Sequence, residues 1–408
     1  MTTIAQAIST GAIRLRFGGL NRDAAQAAMM VLTGYLFIGL PVQVGALAEM
    51  GITTEESNSW FFITWMATGV FSIVIALVTR QPASINLSLP VMIFLLGAIQ
   101  GFTLPQIIGA NLVVGLVSVT ISVLRLTQYL SKIVPTQVAL GVITGNLLSM
   151  MVKTTNIGIS DAFVSGPIVG GYLLARLLRQ GHLVSLITAM GAGVVVILAS
   201  GTTFENVDAV ALPALKLAVI EFDLAAIISL GIPILILTVG IGDVQALAIL
   251  KSEGYRLNSN LAAMYGGITT AINALFGGHA ASLGGGSIVL ASGPSAGPMK
   301  SRYWAMLLSS LPVVVVALLT VPVIGIVLQL PASFTLVIGA IAIAPSLVLM
   351  MKKTVDGPMW IGGVVAVAVA TIPLQVAGLS MPFWALLVGS VVTTIVGPRE
   401  RRRLVFGF

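Results

Sequence analysis

The residues able to do chemistry in this chain are few. Asp243, in Leu237-Thr238-Val239-Gly240-Ile241-Gly242-Asp243-Val244-Gln245, is the one acid well inside an apolar run. An ionisable group there is costly and marks an ion or proton path by default. No Lys or Arg adjoins it in sequence, which suits a proton carrier; a static Asp bonded to hydroxyls or backbone is the competing reading. His279 is the second titratable candidate, either for a proton or ligand role or as a structural His bonding a loop carbonyl. Two His and thirteen acids leave little for a metal cage, so neither a metal nor an organic cofactor is expected. With no Cys there is no thiolate, disulfide or Cys metal site. No phosphate loop, HExxH motif or Ser-His-Asp set is present, and an enzyme is not the reading.

Two stretches gather the remaining polar groups. The first, Gln81-Pro82-Ala83-Ser84-Ile85-Asn86-Leu87-Ser88-Leu89-Pro90, alternates Ser84, Asn86 and Ser88 with apolar residues. Period two predicts a short strand with one polar face, and Pro90 suits the first turn of a helix after it. The second, Gly277-Gly278-His279-Ala280-Ala281-Ser282-Leu283-Gly284-Gly285-Gly286-Ser287, has three consecutive glycines. These argue against a continuous helix and allow backbone to approach a ligand closely. Two half-helix N-termini meeting at membrane depth would favour an anionic group through free N–H donors. The candidate binding residues are Ser84, Asn86, Ser88, His279, Ser282, Gly284, Gly285, Gly286 and Ser287, with Asp243 and His279 for proton coupling. No Lys or Arg lies in either stretch, so a neutral polar heterocycle could use the same donors.

The elements that position these residues follow from composition. Of 408 residues 57% are hydrophobic and 8% charged, with a mean hydropathy of +1.07. Charge that sparse cannot cover a water-facing surface, which excludes a soluble enzyme or nucleic-acid module. Apolar runs predict helices near 24–44, 57–79, 105–125, 134–152, 162–179 and 182–200, then 223–250, 259–276, 302–328, 331–350, 357–373 and 379–397. Adding the broken stretches 81–99 and 277–297 gives 14 transmembrane segments. With both termini cytoplasmic, 18 of the 20 basic residues fall inside and only Lys153 and Lys216 outside. The net charge of +7 thus reads as membrane topology, not as nucleic-acid binding. Trp60, Trp65, Trp304, Trp360 and Trp384 read mostly as interfacial anchors, and Gly141 and Gly145 as a helix-packing face.

A polar connection near 201–222 divides the chain into seven-segment halves, 1–205 and 206–408, of opposite orientation. The fold class is therefore an all-α polytopic membrane protein, a 7+7 inverted repeat with short strands in segments 3 and 10. The broken stretches fall at matching places, residue 81 lying 57 after the helix start at 24 and residue 279 lying 56 after that at 223. Such a matched pair is the best sequence pointer to a transport site.

The segments Gln81-Pro82-Ala83-Ser84-Ile85 with Pro90, Phe276-Gly277-Gly278-His279-Ala280 followed by Gly293-Pro294, Ala296, Pro298 and Arg302-Tyr303, Leu250-Lys251-Ser252-Glu253-Gly254-Tyr255, and Pro135 resemble the bacterial benzoate/proton symporter (BenE-type) family over essentially the whole chain. The resemblance implies the fold of uracil, xanthine and sulfate-type carriers. Segments 1–4 and 8–11 would form a substrate-carrying core, and segments 5–7 and 12–14 a gate domain that often dimerises. Substrate would move with the core in an elevator-like motion. The chain departs from the family pattern at Gly242-Asp243, which looks more like the nucleobase carriers, and at Ser282 and Gly284–Gly286.

The resulting expectation is a secondary active transporter in the bacterial inner membrane, coupling protons to symport of a small aromatic carboxylate such as benzoate. Its partners would be that organic anion, the lipid bilayer and a second copy in a homodimer. A proton-coupled nucleobase symporter is the alternative, Na⁺ in place of H⁺ stays open, and an anion channel ranks below both.

Overall fold

The computed structural model describes residues 20–40, 43–44, 47, 52–98, 101–127, 135–201, 213, 215–327, 329–372, 374–376 and 379–396. The N-terminal Arg14 and Arg16, Lys132 and the Arg399–Arg403 cluster of the charge argument lie outside these residues.

The protein is mostly helical. α1 (Arg22–Gly34) is capped by Asn21, whose side chain accepts from the Ala24 N–H, and passes into a π-helical turn at Tyr35–Gly39. α2 (Thr54–Thr79) opens on a capping box between Thr53 and Glu56. β1 (Ile85–Leu87) then leads into α3 (Leu89–Ala98), and α4 (Leu104–Val123) opens on a second box, Thr103 with Gln106. α5 (Thr136–Ser160), α6 (Ala162–Leu177) and α7 (His182–Ala199) complete the first half. α2, α4 and α6 are followed by Arg80, Arg125 and Arg179, all with positive φ. A left-handed residue commonly closes a helix, and a cation there meets the free carbonyls.

The second half follows the same order about 200 residues on, with one further helix and a second strand pair. α8 (Leu224–Ser252), capped by Asp223, carries π-helical turns at Ile227–Gly231 and Ile236–Gly242. α9 (Ser259–Leu275), β2 (Ala281–Leu283) and α10 (Gly285–Ser292) follow. Then come α11 (Tyr303–Leu318), α12 (Thr320–Val327), α13 (Ala332–Val355), α14 (Trp360–Ala370) and α15 (Met381–Val396). β1 pairs antiparallel with β2 in the register Ile85↔Leu283, Asn86↔Ser282 and Leu87↔Ala281. A second pair, Gln375–Val376 with Leu379–Ser380, precedes α15.

Several boundaries depart from the sequence expectation. The helix expected at 134–152 runs on to Ser160. The run 302–328 is broken at Leu319, which separates α11 from α12. Apolar periodicity does not register such a break, because both pieces are equally hydrophobic. The tryptophans are a clearer correction: Trp60, Trp65 and Trp304 are 1%, 1% and 5% exposed and sit inside the packed protein. Trp65 stacks on Phe61 and gives its indole N–H to Gln43 Oε1, a buried partner that an interfacial ring would not need.

Packing falls into two groups. α9 lies along α4, α11 along α2 and α1, and α10 against α8 and α1. Separately, α13 and α14 pack on α5, α6 on α7, and α14 on α15. α3 reaches across the groups to α5. At Gly141 an added methyl would meet the Gly363 carbonyl, and at Gly145 the Val367 carbonyl and Ala370, so these glycines let α5 and α14 touch backbone to backbone.

Candidate functional site

The site is built where the β1–β2 ladder opens into its two half-helices. In lipid an isolated strand would leave its N–H and C=O groups unpaired. Here each strand satisfies the other, and side chains of the surrounding helices take further positions. Thr68 Oγ1 accepts from the Leu87 N–H, Ser72 Oγ from the Ile85 N–H, and Thr270 Oγ1 from the Ala281 N–H. The ladder extends by one bond at each end, Ser88 N–H to the Ala280 carbonyl and Gly284 N–H to the Ser84 carbonyl. The N-termini of α3 and α10 therefore lie at opposite ends of the ladder instead of meeting, roughly 13 Å apart by the strand rise from Ser84 to Ser88.

Ser287, in the first turn of α10, is the hub. Its hydroxyl donates to the Gly284 carbonyl at 2.8 Å and accepts from the Asn86 amide at 3.1 Å. Ser84 Oγ lies 2.7 Å away, and because the single proton of Ser287 is already used, Ser84 is the donor. Tyr35, at the π-helical turn of α1, completes the network by donating its hydroxyl to Asn86 Oδ1. Its ring lies 6.4 Å from that of Trp65. An added methyl at Gly284 would overlap Asn86 Nδ2 and Ser287 Oγ, whereas at Gly285 and Gly286 it would meet nothing within 4 Å. The backbone at Gly285 and Gly286 is thus unobstructed, at the N-terminus of α10, where backbone N–H groups lack intrahelical partners.

Asp243 meets the end of β2. It is 3% exposed, and its Oδ1 accepts the Leu283 N–H at 2.8 Å. The helix reaches this close because of Gly242, where a Cβ would stand 3.1 Å from Ser282 Oγ. The π-helical turn Ile236–Gly242 ends immediately before Asp243 and displaces the helix there, a common device at functional sites.

Ser84, Asn86, Ser287, Gly284 and Asp243 are thus brought around one ladder, with Ser282 facing Gly242. Ser88 is buried, and its Oγ has no partner among the described residues. His279 stands apart from the hydroxyl cluster. It is fully buried, stacked on Trp60 with centroids 5.7 Å apart, and its Nδ1 accepts the Trp60 indole N–H at 3.1 Å. The residue that sequence reasoning missed is Tyr35: its run is apolar and unbroken, so nothing marks the π-helical turn. No group of three or more His, Cys, Asp or Glu able to hold a metal occurs among the described residues.

The BenE family, benzoate membrane transport protein, matches residues 24–395. The inner membrane protein YdcO of Escherichia coli (strain K12) is 23% identical over 387 residues, covering 91% of this chain and 96% of that protein. Among solved structures, the transmembrane domain of a cyanobacterium bicarbonate transporter, BicA, superposes with a TM-score of 0.57 at 15% identity, covering 94% of this chain and 98% of that one. The murine Slc26a9 anion transporter in its inward-facing state gives 0.53 at 13% identity, over 88% of this chain and 68% of that one. Identities this low show a shared membrane-transporter fold. The family match over most of the chain goes further: this protein belongs to the BenE family of benzoate membrane transport proteins, and is a multi-pass membrane transporter.

Proposed function

We propose that the protein is a proton-coupled symporter for a small aromatic carboxylate, benzoate or a close relative, in the bacterial inner membrane. The observation that carries this reading is the cradle at the N-terminus of α10: unobstructed backbone at Gly285 and Gly286, Ser287 and Asn86 at its edge, and the ring of Tyr35 beside it. A carboxylate there would take backbone N–H donors and the positive end of the α10 dipole. The aromatic ring would lie against Tyr35. Asp243, close behind the ladder, would carry the proton, and protonation would offset charge during the crossing. His279, held by Trp60, supports the loop that enters β2.

The two packing groups support an elevator. The group containing α1, α2, α4 and α8–α11 would be the moving core, and that containing α5–α7 and α13–α15 the gate. The repeat of element order at about 200 residues supports seven segments in each half.

Proteoliposome uptake tests the reading. Labelled benzoate should accumulate under an inward proton gradient and be released by a protonophore. Downhill equilibration alone would indicate a channel. Competition by uracil or xanthine and none by benzoate would favour the second reading, a nucleobase symporter, for which Asp243 beside the cradle is the supporting observation. Competition by bicarbonate or sulfate alone would place the chain with inorganic-anion carriers.

A further inference from the structure

Two blocks that stand out in the sequence, Leu250–Tyr255 and Arg302–Tyr303, lie away from the hydroxyl cluster and meet each other in the fold. α8 ends where Gly254, at φ +87°, reverses the chain and the Tyr255 N–H returns to the Leu250 carbonyl. This leaves Glu253 at the end of the helix whose middle carries Asp243. After α10 the chain makes two tight turns, Pro294–Ala296 and Met299–Ser301, around Gly297 at φ +87°. Arg302 follows, 9% exposed. Its Nε donates to the Gly297 carbonyl at 2.7 Å, and its Nη1 donates to the carbonyl of Ser292, the last residue of α10, at 2.5 Å. The same Nη1 lies 3.6 Å from Glu253 Oε2.

The loop also grips its neighbours. Tyr255 gives its hydroxyl to the Met299 carbonyl at 2.8 Å, and Asn21, the cap of α1, gives its amide to Ser301 Oγ at 2.8 Å. Three helices bearing the site are therefore fastened, away from it, by one loop: α1 with Tyr35, α8 with Asp243 and α10 with Gly285–Ser287. α10 spans only eight residues, about 12 Å, so a shift at Ser292 reaches Gly285 with little to absorb it. A buried guanidinium cannot leave its acceptors without a large penalty, which makes the fastening stiff.

We propose that Arg302 is a positioning residue for transport, setting the N-terminus of α10 against Asp243 by holding the far ends of α10 and α8 together. The proposal rests on reading Gly284–Ser287 as the substrate cradle. Its test needs no substrate. The chain contains no Cys, so Gly285→Cys places a lone thiol at a position where an added Cβ meets nothing within 4 Å. The readout is its modification rate by a small charged methanethiosulfonate reagent in the purified full-length protein. Adding Arg302→Gln should change that rate by about threefold or more, the scale of coupling carried through packed elements. Arg302→Lys, which keeps the charge beside Glu253, should change it less. A reference thiol from Phe163→Cys on α6 should react alike in both backgrounds. An unaltered rate at position 285, or an equal shift at the reference thiol, overturns the proposal. If Arg302→Gln does not yield folded protein, Glu253→Gln removes the ion pair alone, and the same two outcomes are read. Slowing of the position 285 reaction by benzoate tests the cradle separately, so a wrong substrate class cannot be mistaken for a failed clasp.

Discussion

The backbone N–H of Leu283 donates to Asp243 Oδ1 at 2.8 Å, so the last residue of β2 is held by the carboxylate proposed to carry the proton. An amide offers the same acceptor and cannot exchange a proton. Asp243→Asn should therefore fold and bind, retain exchange of internal for external benzoate, and lose accumulation driven by a proton gradient. Counterflow and gradient-driven uptake in the same proteoliposomes check this; full accumulation in the variant removes Asp243 from coupling.

Ser287 accepts from two side chains and donates to a carbonyl, so Ser287→Ala leaves Ser84 and Asn86 facing a methyl. Orphaned buried groups cost roughly 1–3 kcal/mol. That cost falls on the folded protein with or without ligand, so the melting temperature of detergent-purified protein should drop. An unchanged melting temperature would remove the Ser84–Ser287–Asn86 network as a support of the cradle.

Neighbouring glycines should behave oppositely. Gly284→Ala drives a methyl into Asn86 and Ser287, and should lower the melting temperature without ligand. Gly286→Ala adds its methyl to open space and should leave that temperature within a few degrees while reducing the shift produced by benzoate. Thermal unfolding with and without ligand separates the two.

Tyr35→Phe keeps the ring and removes the donor to Asn86 Oδ1. That bond joins two protein groups and is worth about 1 kcal/mol, so the loss falls on stability and affinity should change by less than about fivefold. Tyr35→Ala should cost more, because it also removes the aromatic wall. Uptake measured across benzoate concentrations for both variants gives the comparison.

How far the sequence reveals this site depends on the kind of signal. Ser84, Asn86 and Ser88 are conspicuous because polar residues at period two do not belong in an apolar run, and Gly284–Gly286 because three glycines forbid an ordinary helix. Asp243 is conspicuous by cost. What joins them is not legible: the Ser84–Ser287 contact links residues 203 apart, and no local pattern encodes it. Tyr35 is hidden because a π-helical turn leaves hydropathy unchanged. Trp60 and Trp65 mislead for a related reason: near a span end, an aromatic belt and a buried wall have the same composition.

Among the described residues, β1 has no strand partner other than β2. During synthesis, Ile85–Leu87 leaves the ribosome nearly 200 residues before Ala281–Leu283 does. Until then the backbone of the third segment has no ladder to complete, and lipid offers it nothing in exchange. The nascent first half must therefore wait in a sheltered, partly hydrated place, such as the insertion machinery, for the second half to arrive. A chain truncated before residue 281 should be cleared by membrane proteases, and co-expressing the two halves as separate polypeptides should rescue both.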